Sequence, residues 1–257
     1  MSATKLQRPR ESGSNAFARS GQENDFTLEF ESFPRHEGVT GGDEADNGSM
    51  PEPLLPLFPL SLVLLPSTPL PLHIFEERYK EMMGDIIPGR REFGVVLARE
   101  GGVANIGCTA TVEQVLRRYP DGQLDVATMG RRRFQILSLD DERSYLRASV
   151  EFFNDDDAEA APVRLRGQAV AAYNKLREAL QEQTSIEPRL DDPQLSFQLA
   201  QFVEDLDHRQ TMLGMKSETE RLQFFVRSLP DYLTKRERVL LARRVGPQNG
   251  HAKHYTE

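Results

Sequence analysis

The chain has 257 residues, 38% hydrophobic and 28% charged, which suits one sizeable domain with an appendage, or two small domains, and allows a real core. Its net charge of −8 and pI near 5.3 speak against general nucleic-acid or anionic-membrane binding, which leave a basic footprint. Cys108 is the only cysteine, so an intramolecular disulfide and any structural zinc site built on two thiolates are excluded. The first thirty residues contain no apolar h-region, and the expected location is a reducing cytoplasm.

Residues 1–50 are rich in Ser, Gly, Asn, Glu and Asp, with few and scattered apolar side chains. Such a tail has too little apolar surface to offset its ordering entropy and is expected to be disordered. One part departs from this pattern. Phe26, Leu28 and Phe30 alternate with Thr27, Glu29 and Glu31, the period of a strand able to join a sheet edge.

The densest apolar stretch covers residues 54–83, LLPLFPLSLVLLPSTPLPLHIFEERYKEMM. Its prolines, Pro56, Pro59, Pro66, Pro69 and Pro71, would each remove a backbone donor from a membrane-spanning helix. Three short strands fit instead, over 54–58, 62–65 and 70–75. A helix follows from Glu76 to Pro88-Gly89, with Phe75, Tyr79, Met82 or Met83, and Ile86 as its buried stripe. Beyond it, Phe93, Val95 and Leu97 alternate in a strand, and Gly101-Gly102 turns the chain into a long run over 105–119. YPDGQ is a hairpin turn, 124–129 the returning strand, and Gly130 a break before RRRFQILSL. SYLRASVEFF closes the series, with Leu146, Ala148, Val150 and Phe152 on one side. About eight strands with short links imply a twisted, largely antiparallel sheet that curls into a barrel.

After the acidic connector NDDDAEAA the period becomes helical. Val170, Tyr173, Leu176 or Arg177, and Leu180 form one stripe, Asp192-Pro193 supplies a cap and first-turn proline, and Leu195, Leu199, Phe202, Val203 and Leu206 share one helical face. Ser217 and Glu220 form a capping box for a helix burying Leu222, Phe225, Val226 and Leu229. Pro230-Asp231 is expected to interrupt it before a basic helix over 232–245. The expected organisation is therefore a disordered 1–50, a β-rich 51–153, a helical 162–245 and a frayed 246–257.

The opening segment, followed in order by REFGVVL, IGCTATVEQV, YPDGQLDVATMG, GRRRFQIL, SYLRASVEFF, SFQLAQFV and ERLQFFVRSL, resembles the amino-terminal (substrate-binding) domain family of Lon proteases, also found as a stand-alone protein and in cereblon. The resemblance runs from Pro53 to Leu229. It implies an α+β fold, a PUA-like pseudo-barrel followed by a helical bundle. The G-x-x-x-x-G-K-[ST] phosphate loop of the Lon ATPase does not occur, and there is no room for the Ser-Lys peptidase or for the cysteine-rich zinc domain of cereblon. Recognition of a substrate or partner without catalysis is what the resemblance implies, in the stand-alone form of the family.

Single residues carry less. Cys108 reads as a small buried thiol rather than a nucleophile, since His36, His251 and His254 lie in the tails and His208 in the helical half, leaving only His73 near the sheet. His73 faces away from Leu72 and Ile74 and reads as a hydrogen-bonded structural histidine, with pocket lining as the alternative. Glu76, Glu77 and Arg78 fit helix capping better than a carboxylate pair, because adjacent helical residues do not face one another. Arg131, Arg132 and Arg133, joined by Arg117 and Arg118 across the hairpin, would make a local anion or RNA patch, but residues 90–151 hold ten basic and nine acidic side chains and no aromatic ladder. No catalytic, cofactor-binding or metal-ligating residue is assigned, no cofactor is expected, and substrate-binding residues are not distinguishable.

The expected function is capture of unfolded or apolar client segments in a groove or along a strand edge, with a protease or chaperone as partner and neither nucleic acid nor membrane. A small-molecule-binding regulator using the cleft between barrel and helices is the alternative, and a hydrolase built on Cys108 or His73 a third reading.

Overall fold

The computed structural model describes residues 54–157, 159–180 and 187–245, the side chains of 237 and 239–245 excepted. The strand expected at 26–30 and both expected tails lie outside the described residues. Within them the order is β1 (Leu55–Leu60), β2 (Pro69–Ile74), α1 (Glu77–Ile86), β3 (Phe93–Arg99), β4 (Gly102–Arg118), β5 (Leu124–Asp140), β6 (Arg147–Phe153), α2 (Val163–Leu180), α3 (Leu195–Ala200), α4 (Leu206–Gly214) and α5 (Glu218–Val245). The sheet runs β2-β5-β4-β3-β1-β6, and β6 also pairs with β5, so five strands form a partly closed ring. β2 stands outside the ring, paired with the first part of β5. The β1–β3 pair is parallel, and every other pairing is antiparallel. The expected α+β architecture, a pseudo-barrel followed by helices, is what the chain adopts.

Six strands replace the expected eight. Residues 62–65 form no strand, although Val63, Leu64 and Leu65 are buried, because the chain turns there and ties itself to β5. Ser67 N–H donates to the Gly130 carbonyl at 3.0 Å and Gly130 N–H to the Thr68 carbonyl at 2.9 Å. Gly130 therefore does not break β5. It lies inside that strand, and a Cβ there would sit 2.2 Å from the Leu65 carbonyl oxygen, an approach only glycine permits.

Apolar packing forms two clusters. Leu55, Leu57, Val96, Phe134 and Ala148 make the smaller, and Gly94 and Gly107 leave room for the Phe134 ring. The larger joins Phe58, Val95, Leu97 and α1 to α2–α5. β1 and β3 contribute to both clusters, which explains why their apolar residues are nearly continuous rather than alternating. In α1 the buried residues are Tyr79, Met82, Met83 and Ile86. Phe75 is not among them. It lies before the first helical turn and is 57% exposed, so the stripe starts at Tyr79, one turn later than expected.

Three helix boundaries also differ from expectation. The face from Leu195 to Leu206 is divided between α3 and α4, because Asp205 accepts from the His208 N–H at 3.1 Å and starts a new helix. Asp192 stands before α3 rather than at its cap, its carboxylate accepting from Gln194 N–H at 2.8 Å. α5 instead runs through Pro230, which faces solvent while neighbouring Leu229 is buried. Packing on both flanks thus outweighs the ~3 kcal/mol cost of a proline inside a helix.

Candidate functional site

A cleft of ≈ 490 Å³ opens between β4 and α4, lined by Arg99, Ala104, Asn105, Ile106, Asp207, Gln210, Thr211 and Gly214. Its floor comes from an irregularity in β4. Val96 pairs with Gly107 and Ala98 with Val103, so residues 104–106 bulge out opposite the single residue Leu97. Bulges of this kind re-aim side chains. Ile106 still pairs with Gln135 of β5, but Ala104 and Asn105 pair with no strand among the described residues. Past Gln135, β5 turns to β6 and leaves β4 with β3. The α4 wall meets this floor closely: Gln210 Nε2 donates to the Ile106 carbonyl at 2.9 Å, and the Gly214 Cβ position lies 3.1 Å from Ile106 Cδ1. At the mouth Arg99 and Asp207 form an exposed ion pair at 2.8 Å. The cleft therefore offers amide side chains, an apolar floor and the main chain of a bulge without strand partners at Ala104 and Asn105, with its two charges neutralising each other.

Beneath α4 lies a buried charged network that sequence reasoning missed. Arg133 is 3% exposed and Arg221 fully buried. Asp155 Oδ1 accepts from Arg133 Nη2 and from Arg221 Nη1, each at 2.6 Å, while its Oδ2 accepts from Arg221 Nη2. Glu218 pairs with Arg221 at 2.9 Å and accepts from Ser196 N–H at 2.8 Å and Ser196 Oγ at 2.5 Å. The Phe197 ring lies 4.4 Å beneath the Arg221 guanidinium. Burial pushes the Asp155 carboxyl up, but Arg221 and Arg133 outweigh it and hold the group below the usual range. For Glu218 burial prevails over Ser196 and Arg221 and raises the carboxyl. Two cations facing two carboxylates leave the network neutral. In the sequence Arg131–Arg133 form a single basic run, and the signal that divides it, register between β5 and the aspartates after β6, exists only once the strands are paired.

The remaining candidates are scattered. Arg131 pairs with Glu113 at 2.6 Å and Arg132 with Glu92 at 3.0 Å, an ion-paired strand face. Arg117 and Arg118 pair with Asp125 and Leu124 of β5, six or more residues from Arg131, which at ~3.3 Å per residue is ~20 Å. The five arginines do not form one patch. Cys108 lies opposite Arg133 and His73 opposite Asp125, eight residues apart along β5 and ~26 Å away from each other, so Cys108 and His73 form no dyad. Burial pushes the Cys108 thiol up to about 12, the opposite of an activated nucleophile. His73 Nδ1 meets Asp125 Oδ1 at 2.6 Å, and Tyr119 donates to Asp125 Oδ2 at 2.8 Å, a hydrogen-bonded surface histidine. Glu76 stands at the start of α1, yet its carboxylate pairs with Arg78 and caps nothing. Among the described residues no group of three or more His, Cys, Asp or Glu side chains is arranged to hold a metal ion, and no helix is long and apolar enough to cross a membrane.

A sequence profile of the ATP-dependent protease La (LON) substrate-binding domain matches residues 54–229, more than half of the chain and the whole of the ring with most of its helices. The chain belongs to the Lon substrate-binding domain family. A Lon N-terminal domain protein from Xanthomonas campestris shares 25% identity and superposes with a TM-score of 0.54 over 66% of this chain and 95% of that one. The N-terminal domain of a Mycobacterium avium complex Lon protease, 20% identical, gives a TM-score of 0.51 over 71% of this chain and 98% of its own, a likeness of fold. Among curated relatives, the Lon proteases of Cytophaga hutchinsonii and Flavobacterium johnsoniae are 28% and 27% identical over 44% of this chain. The match spans 15% of each of those proteases. Membership in a Lon substrate-binding family supports a role in recognising protein substrates.

Proposed function

We propose that this protein captures unfolded or apolar segments of client proteins in the β4–α4 cleft. It performs no chemistry of its own and serves as an adaptor to a proteolytic or folding machine in the cytoplasm. The observation that supports this reading best is the bulge at residues 104–106, which brings strand-unpaired main-chain groups to the cleft floor beside Asn105 and Gln210. An extended client segment would pair with those groups, and its apolar side chains would rest on Ala104 and Ile106. Arg131 and Arg132, engaged by carboxylates, offer no free basic surface to nucleic acid. Binding of apolar peptides on an array, without ATP, is the expected result, with roughly tenfold weaker binding for Asn105→Ala combined with Gln210→Ala. Undiminished binding by that pair would sink the assignment of the cleft. The cleft volume also falls within the range of small-molecule sites, the second reading. No peptide binding, together with a metabolite-induced rise in melting temperature, would favour it.

A further inference from the structure

The two ends of α4 are held in different ways. At its amino-terminal end the link to the barrel is the exposed Arg99–Asp207 pair, a contact of little energetic weight. At its carboxyl-terminal end, where helix carbonyls lack partners of their own, Arg133 of β5 donates through Nη1 to the Leu213 carbonyl at 3.3 Å and to the Met215 carbonyl at 2.5 Å. Arg221 of α5 donates to the same Met215 carbonyl at 2.8 Å. Both arginines are oriented by one carboxylate, Asp155, which belongs to neither the sheet nor the helices but to the connector after β6. That connector is itself fastened to the segment following α4: Asp156 N–H donates to the Lys216 carbonyl at 2.8 Å, and Asp157 accepts from Glu218 N–H at 2.7 Å. Gly214, between the two clamped carbonyls, is the point at which α4 touches the cleft floor.

The geometry points to Asp155 as a positioning residue for client binding: acting through Arg133 and Arg221, it holds α4 against β4 and so sets the width of the cleft. The inference rests on the reading of that cleft as the client site. Asp155 does not touch the cleft itself and acts only through the guanidinium groups it aims. Its removal leaves two cations buried without their shared counter-charge and frees the last carbonyls of α4 to shift.

The test combines a binding measurement with a distance measurement in the full chain. Nitroxide labels at Asn105→Cys and Thr211→Cys, on opposite walls, report cleft width by dipolar EPR, and buried Cys108 stays unlabelled. Affinity for reduced, carboxymethylated α-lactalbumin is measured on unlabelled protein. Both readings are taken well below the melting temperature, with far-UV circular dichroism as the check on folding. Asp155→Asn is expected to broaden the distance distribution and weaken binding at least tenfold. Arg133→Lys, which keeps the charge but loses the fork, is expected to fall between, at about threefold, and carries the test if Asp155→Asn does not fold. A lower melting temperature with unchanged distances and unchanged affinity would make the network merely structural and overturn the proposal. Broadened distances with unchanged affinity would overturn the cleft as client site while leaving the hold on α4 standing.

Discussion

Phe134 fills the interior of the ring because Gly94 and Gly107 step aside for it. A Cβ at either position would lie 2.6 or 2.5 Å from the tip of the Phe134 ring. Gly107→Ala is therefore expected to destabilise by about 1–3 kcal/mol through overpacking, and Phe134→Leu in the same chain to recover part of the loss. Chemical denaturation of the two single variants and the double variant measures the coupling, and strict additivity would contradict the contact. Phe58 packs on Tyr79 and Phe93 at centroid distances of 4.1 and 6.2 Å. Its truncation to Ala should cost about 3–5 kcal/mol. Phe75, at 57% exposure, should lose less than about 0.5 kcal/mol on the same change. Equal losses in the two variants would mean that Phe75 is buried after all.

At the scale of elements, the strands with a strong period were legible in the sequence. The 120–122 turn and the β2 face with His73 outward follow from turn chemistry and alternation, and β3 from its apolar run, although it is buried on both faces rather than one. The misreadings share one physical cause. At residues 62–65, Gly130 and Pro230 local propensity points one way and a tertiary contact prevails: the Leu65 carbonyl against Gly130, and a packed helix on both sides of Pro230. The cleft was illegible for a related reason, since a bulge depends on the register between two strands and leaves no mark in the period of either. Pro230→Ala restores a main-chain donor at an exposed position and is expected to raise stability by about 1–2 kcal/mol, the gain reduced by the looser unfolded chain. A fall in melting temperature would mean that the proline shapes a bend the packing requires.

Across the whole molecule, acid acts on buried and half-buried groups with opposite signs. His208 lies against Phe224 at 4.6 Å, its Nε2 without a partner among the described residues, and burial lowers it from its ordinary 6.5. The unfolded chain then binds a proton first as pH falls, so stability drops as pH passes below about 6.5 towards the folded value. Asp155, held below its ordinary 3.8, adds a second loss beneath that point. Glu218, raised above its ordinary 4.5 by burial, acts in the other direction and is most stabilising in acid, its contribution fading as pH rises through its folded value. Melting temperatures between pH 7 and 5 should therefore decline less in His208→Gln than in this protein; a decline of equal size in the variant would remove His208 as the cause. Ring closure adds a matter of timing. β1 is completed on one side only by β6, and the paired residues Leu55 and Ala148 are 93 positions apart. At about 5–20 residues per second of synthesis, the amino-terminal strand waits roughly 5–20 s for its last neighbour to emerge. Until then the β1 edge stands open to other chains, and chains truncated after residue 144 should aggregate or be retained by chaperones where the full chain is not.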